Sequence, residues 1–409
     1  MNNALGFLKT SGPVATGSSG SAAGLINLHV HLPPNFSAFE SVGQTVALAA
    51  AQDVRVLGTS NYYDYTVYGG FSAAAVRAGI FPVFGLEVIS WRNESAAKNE
   101  KINDPGNPGK FYLCGKGLTK FAAPEADAAA ILRRVREGDA ARMDAMCAAL
   151  AACFAKAGMP VTLSGEDVRA AVAKRCGTAP ETVFLQERHV AQAFQEAFFA
   201  AVPEAERAAR LTALAGAECA KADAAAVQNA LRSHLMKAGK PAYAAENFIP
   251  FEEAKRMVLG MGGIPCYPIL ADGAAPLCGF EASPETLVAN LAALGIAAAE
   301  FIPNRNAPET LLAYAKALRA AGVVVTAGTE HNTPELIPLP PACVKGQAIP
   351  DEAQALFREG AMVVIAHQYL TANGRPGYVA TDGSVPGDRE TRIREFAALG
   401  EAVLKKFQA

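Results

Sequence analysis

Six histidines punctuate this chain, at 29, 31, 189, 234, 331 and 367, and their spacing is the first chemical signal. His29-Val30-His31 sets two imidazoles on one face of an extended strand, because side chains alternate there with period two. Such a pair can share a metal ion, or it can be a buried polar pair satisfied by hydrogen bonds. Carboxylates shift the balance toward metal. Glu87 lies near the end of the run IFPVFGLEVIS (80–90), Glu330 and His331 follow VVVTAG (323–328), and His367 ends MVVIAHQYL (362–370). Imidazole with carboxylate suits zinc, manganese or iron. His189 opens a helical pattern, HVAQAFQEAFFA, and His234 sits in a polar helical stretch.

The elements that must position these groups follow a rhythm of short apolar runs alternating with amphipathic stretches closed by glycine, the mark of successive βα units. LINLHVHL (25–32), VRVLGTS (54–60), IFPVFGLEVIS (80–90), GIPCYPIL (263–270), IAAAEFIP (296–303), VVVTAG (323–328) and MVVIAHQYL (362–370) read as seven strands buried on both faces. Ser283-Pro284 opens a helix that Gly295 closes, and Ala307-Pro308 opens one that ends at Gly322. Residues 122–262 carry helical periodicity instead, with Met143, Met146, Cys147, Leu150, Cys153, Phe154 and Ala157 on one face and a capping box at Ser164 and Asp167. The expected fold is α/β, a seven-stranded TIM-like (β/α)7 barrel over 25–121 and 263–409 with an α-helical insertion at 122–262. A Gly/Ser/Ala-rich N-terminal arm covers 1–24. In such barrels functional groups gather where the strands end.

Composition bounds the partners. The chain has 409 residues, 51% of them hydrophobic, and its 37 Lys and Arg against 39 Asp and Glu leave a formal charge of -2. A large core is expected, with no electrostatic footprint for nucleic acid or anionic membrane. Small-molecule substrates are the default partners. Eight cysteines without a CxxC pair read as reduced thiols, and the start lacks the pattern of a secretory signal, so the expected location is the cytoplasm. The alanine-rich insertion could pack on its own barrel or on a second copy, making a homo-oligomer.

In this order and at these strand ends the residues resemble the PHP (polymerase and histidinol phosphatase) domain family, metal-dependent phosphoesterases on a distorted seven-stranded barrel. INLHVHL resembles the family's DLHxHT motif, GLEVI its GxE strand, ERHVAQAF the histidine that follows an arginine in insertion-bearing members, and AGTEHN its GSDxH motif. The resemblance implies one ion held by His29, His31, Glu87 and Glu330 and a second by Glu87 with His189; these residues and His331 would carry the catalysis. Departures are equally specific. Thr59-Ser60-Asn61 stands where the family has TDH, Cys266-Tyr267-Pro268 where it has AHP, and His331 falls one residue early. His331, His367 and Asp64 are the replacement ligands that neighbouring loops offer.

The implied chemistry is hydrolysis, most simply of a phosphoester, with one or two divalent ions activating water. An anionic substrate needs fixed cations, and Arg188, Arg305 and the lysines Lys101, Lys110 and Lys116 are the candidates, each also readable as a solvated charge. Asn61 and Tyr267, at family ligand positions, would touch substrate. The turn-rich NDPGNPGK (103–110) could offer glycine amides to an anion or act as a lid. A catalytically degenerate member that binds a small molecule is the alternative, and an amide or lactone hydrolase on a related barrel is a third reading.

Overall fold

The computed structural model describes residues 4–9 and 24–409. Most of the expected arm, 10–23, lies outside the described residues. The described residues divide into two compact units, one of 4–9, 24–32, 41–132 and 249–409 and one of 33–40 and 133–248.

The first unit is mixed α/β. Its strands are β1 (Leu25–Val30), β2 (Val54–Thr59), β3 (Phe81–Val83), β4 (Gly85–Trp91), β5 (Lys110–Lys116), β6 (Ile249–Pro250), β7 (Ile264–Ile269), β8 (Ala298–Phe301) and β9 (Val324–Ala327). They form two sheets, β1-β2-β3 and β6-β4-β5-β7-β8-β9, instead of one seven-stranded barrel ladder. All pairings are parallel except those of β5, which runs against β4 and β7. The run 80–90 is two strands, broken at Phe84, whose backbone N–H donates to Gln368 Oε1 at 2.8 Å. Two single bridges join the sheets, Tyr62 to Glu87 and Val30 to Glu330. Glycine is required at both: a Cβ on Gly85 would lie 2.4 Å from the Thr59 carbonyl oxygen, and one on Gly328 would lie 2.2 Å from His29 Cβ.

The expected seventh strand is not one. Residues 362–370 lie within the helix Asp351–Ala372, where every residue from Gly360 to Leu370 is buried. A helix enclosed on all sides shows the same unbroken apolar run as a central strand, so the two differ in length and not in periodicity. Gly360 and Gly400 admit the close contacts, since a Cβ on either would come within 2.0 Å of the carbonyl oxygen of Val325 or Met362. Near the chain start, Phe7 packs edge-on against Phe81 and Phe407 at 5.2 and 5.9 Å, and Leu8 is buried.

The second unit is helical. It comprises most of Ala126–Lys156 with Gly165–Cys176, Glu187–Ala201, Arg207–Ala215, Ala224–Leu231 and a π-helical turn at Arg232–Met236. Met143, Met146, Cys147, Leu150 and Phe154 line its core with Phe194 and Phe198, as their spacing requires. The capping box is formed: Asp167 N–H donates to Ser164 Oγ at 3.1 Å and Ser164 N–H to Asp167 Oδ2 at 2.8 Å. Among the described residues, no helix is long and apolar enough to cross a membrane.

Candidate metal centre

His29 is on β1 and His31 one residue beyond it; both are buried, as is Glu87 on β4. The end of β9 folds over β1 and fixes them. Thr329 and Glu330 N–H both donate to the His29 carbonyl, at 3.0 and 2.8 Å, and His31 N–H donates to the Glu330 carbonyl at 2.8 Å. Asn27 Oδ1 accepts the His29 N–H at 3.0 Å while its amide donates to Thr329 Oγ1 and the Leu339 carbonyl. Three ligand-type atoms therefore converge: Nε2 of His29 and His31 are 3.3 Å apart, and Glu87 Oε2 is 3.6 and 3.2 Å from them.

Behind His29 stand two residues that the sequence did not single out as a pair, Glu300 on β8 and Lys116 at the end of β5. Glu300 Oε1 lies 3.0 Å from His29 Nδ1, and Glu300 Oε2 lies 2.6 Å from Lys116 Nζ. Lys116 donates further to the Leu28 carbonyl at 3.0 Å and to Ser60 Oγ at 3.2 Å. Glu300 is the only charged residue of IAAAEFIP, the one signal that could have found it. His29, Cys114 and Glu300 also approach one another closely enough for a shared cation, but the Lys116 ammonium already sits on Glu300.

The charges are mutually supportive. Burial disfavours the His29 cation, yet the Glu300 carboxylate and then Glu87 outweigh it and lift the imidazole to about 9. Burial likewise works against Glu87 and Glu300 as anions. The imidazoles of His29 and His31 hold Glu87 well below the usual carboxylate range, and Lys116 with His29 brings Glu300 to about 2. Over this cluster the Tyr62 ring stacks on His31, 5.3 Å away and 14° from parallel, with its hydroxyl bonded to Glu87.

A divalent ion fits these residues. Glu87 Oε2 is buried without a well-formed hydrogen bond, facing two imidazole nitrogens. Two histidines and a carboxylate are the donor set of many zinc and iron sites, and a carboxylate on the far nitrogen of a ligand histidine is their usual support. An ion bound through Nε2 of His29 would replace a proton there, beside the two carboxylates of Glu87 and Glu300 and the single ammonium of Lys116.

The other expected residues lie elsewhere or are engaged. Glu330, at φ 61°, turns its carboxylate to Arg305 and accepts from Asn332 Nδ2 at 2.8 Å. His331, at φ 57°, contacts Thr329 Oγ1 at 2.8 Å through Nδ1 and the Ile337 carbonyl at 2.9 Å through Nε2. Asp64 accepts from Thr66 N–H and Oγ1 in a local turn. Asn61 clamps the backbone of Leu32 from both sides, at 2.7 and 2.9 Å. Tyr267 packs among Phe111 and Phe280 and donates to Glu281 Oε1 at 2.6 Å. Lys110 is 3.4 Å from Asp104, which also takes the Gly106 and Asn107 amides, so that loop's donors face their own carboxylate.

His367 is a correction. Its ring joins the Gly262 carbonyl, 3.0 Å from Nε2, to the Tyr378 N–H, 3.0 Å from Nδ1, and Gly262 precedes β7 at the end where the parallel strands begin. His189 and Arg188 belong to the second unit. There His189 Nδ1 accepts the Gln186 N–H at 3.1 Å and the ring bonds the Pro34 backbone, while Arg188 lies 5.9 Å over the Phe36 ring.

No family model and no curated protein matches the sequence. Solved structures do match. An amidohydrolase from Chromobacterium violaceum, with bound sulfate and no metal, aligns with a TM-score of 0.51 and 20% identity over 81% of this chain and 96% of its own. A protein from Bifidobacterium adolescentis, provisionally assigned as a metal-dependent phosphoesterase, aligns with a TM-score of 0.52 and 15% identity over 82% of this chain and 96% of its own. What the chain shares with both is the fold.

Proposed function

We propose that this protein is a metal-dependent hydrolase acting on a small anionic phosphoester. The convergence of His29 Nε2, His31 Nε2 and Glu87 Oε2, with Glu300 holding the far side of His29, carries the reading. The two solved neighbours, an amidohydrolase and a provisionally assigned phosphoesterase, support it at the level of fold. His29, His31 and Glu87 would hold a divalent transition-metal ion, which when bound supplies Lewis acidity toward a substrate oxygen and acidifies a water molecule.

The chain's own residues do the rest. Glu300 keeps a proton on His29 Nδ1, so Nε2 presents its lone pair to the ion. Tyr62, flat against His31, restricts access to the cluster. Arg305, whose side chain keeps 35% of its surface exposed, can leave Glu330 for a phosphate, which matches its planar fork.

One observation favours a second reading, a binding protein that has lost the reaction. His29, bracketed by two carboxylates and lifted to about 9, can hold a proton where the ion would sit. Hydrolysis of p-nitrophenyl phosphate and bis(p-nitrophenyl) phosphate, measured with added zinc, manganese or iron(II), separates the two. Turnover that disappears in Glu87→Ala supports the hydrolase. Phosphate binding without turnover under any of the three metals supports the binding protein.

A further inference from the structure

We infer that Glu300 and Lys116 act as a linked positioning pair for the metal site, an inference that rests on reading His29, His31 and Glu87 as its ligands. Both side chains are fully buried, and their geometry leaves little freedom. The lysine ammonium donates to the Leu28 carbonyl and Ser60 Oγ and forms an ion pair with Glu300 Oε2 at 2.6 Å, an oxygen that has no well-formed hydrogen bond of its own. That fixes one carboxylate oxygen of Glu300 and leaves Oε1 aimed at His29 Nδ1. The imidazole is then committed to one orientation, with Nε2 toward Glu87 and His31.

The topology explains how a lysine reaches this place. β5 alone runs against its neighbours, so its last residue, Lys116, pairs with Gly85 and Ile264 at the starts of β4 and β7. From there the long side chain reaches along the interior to Glu300, whose strand neighbours Pro268 and Thr326 carry no charge. A buried ion pair is poor value for stability alone, since apolar replacement is often neutral or stabilising. Its contact with His29 gives it a different use.

The test compares zinc affinity, by competition with a chromophoric chelator, and the visible spectrum of the cobalt(II) form. The proteins are wild type, Glu300→Gln, Lys116→Met and the double variant. Glu300→Gln is expected to weaken zinc by about 10- to 100-fold, the usual cost of losing such support. Lys116→Met is expected to weaken it and shift the cobalt spectrum in the same sense. Because the lysine acts through the glutamate, the double variant is expected to be no weaker than Glu300→Gln to within about twofold. Thermal midpoints of the metal-free proteins report any structural loss separately.

Wild-type affinity retained to within about twofold in both single variants, or losses that add in the double, would overturn the inference. A wild type that binds no zinc would instead overturn the ligand assignment beneath it. Should a single variant fail to fold because one buried charge is left unpaired, the double variant decides. A loss of about tenfold or more there supports the pair, and unchanged affinity refutes it.

Discussion

His29 and His367 are both buried in the first unit, and burial works against the cation in each, yet the two rings end on opposite sides of the ordinary imidazole value. His29 has carboxylates on both ring nitrogens and is lifted to about 9, whereas His367 lies between a backbone carbonyl and a backbone N–H and falls to about 4, chiefly through burial. His189, in the second unit, falls to about 3 for the same chief reason. Burial alone makes a structural histidine; carboxylates around a buried ring make a place for a cation.

The sharpest way to break this contrast is to remove a ligand. His29→Ala is expected to abolish bound metal and phosphoester turnover together, read by elemental analysis and by the same p-nitrophenyl esters. His367→Ala is expected to keep the metal while losing about 2–3 kcal/mol in urea unfolding, since it strips partners from the Tyr378 N–H and the Gly262 carbonyl.

Acidity sharpens the contrast further. His367 is neutral in the fold at pH values where the unfolded ring, near 6.5, is charged, so its contribution is complete above about 6.5 and lost as pH falls toward about 4. Between pH 7.5 and 5 this amounts to about 2 kcal/mol, a slope that His367→Ala should lack. An unchanged acid slope in the variant would place the titrating group elsewhere. The smallest effect is expected at Arg305. Arg305→Gln should alter stability by under about 1 kcal/mol, because its pairing with Glu330 is partly solvated. It should raise KM several-fold for the phosphoester with little change in kcat, and an unaltered KM would remove Arg305 from substrate binding.

The part of the site legible in the sequence is the part built from strand alternation. His29-Val30-His31 needed only period two, and Glu87 only an acid in an apolar run. Glu300 had the same signature in IAAAEFIP, but a single acid offers no spacing to a second group. Lys116 stands out in the sequence only as a candidate cation for an anionic substrate, because β5 is antiparallel and falls outside the βα rhythm that would place the lysine beside Glu300. Glu330 and His331 point where they do for a backbone reason. Both take left-handed φ, a conformation that no side-chain pattern announces, and it turns the two side chains to Arg305 and Ile337. The helix over 351–372 deceived in the opposite way, through burial so complete that it erased its own period.

The most direct test is the metal content of wild type, His29→Ala and His367→Ala, purified without a histidine tag and dialysed against the same zinc-containing buffer. Bound zinc in wild type and His367→Ala, and none in His29→Ala, is the expected result. Equal zinc in all three, or none in a folded wild type, would contradict the claim that the carboxylate-flanked histidines form the site.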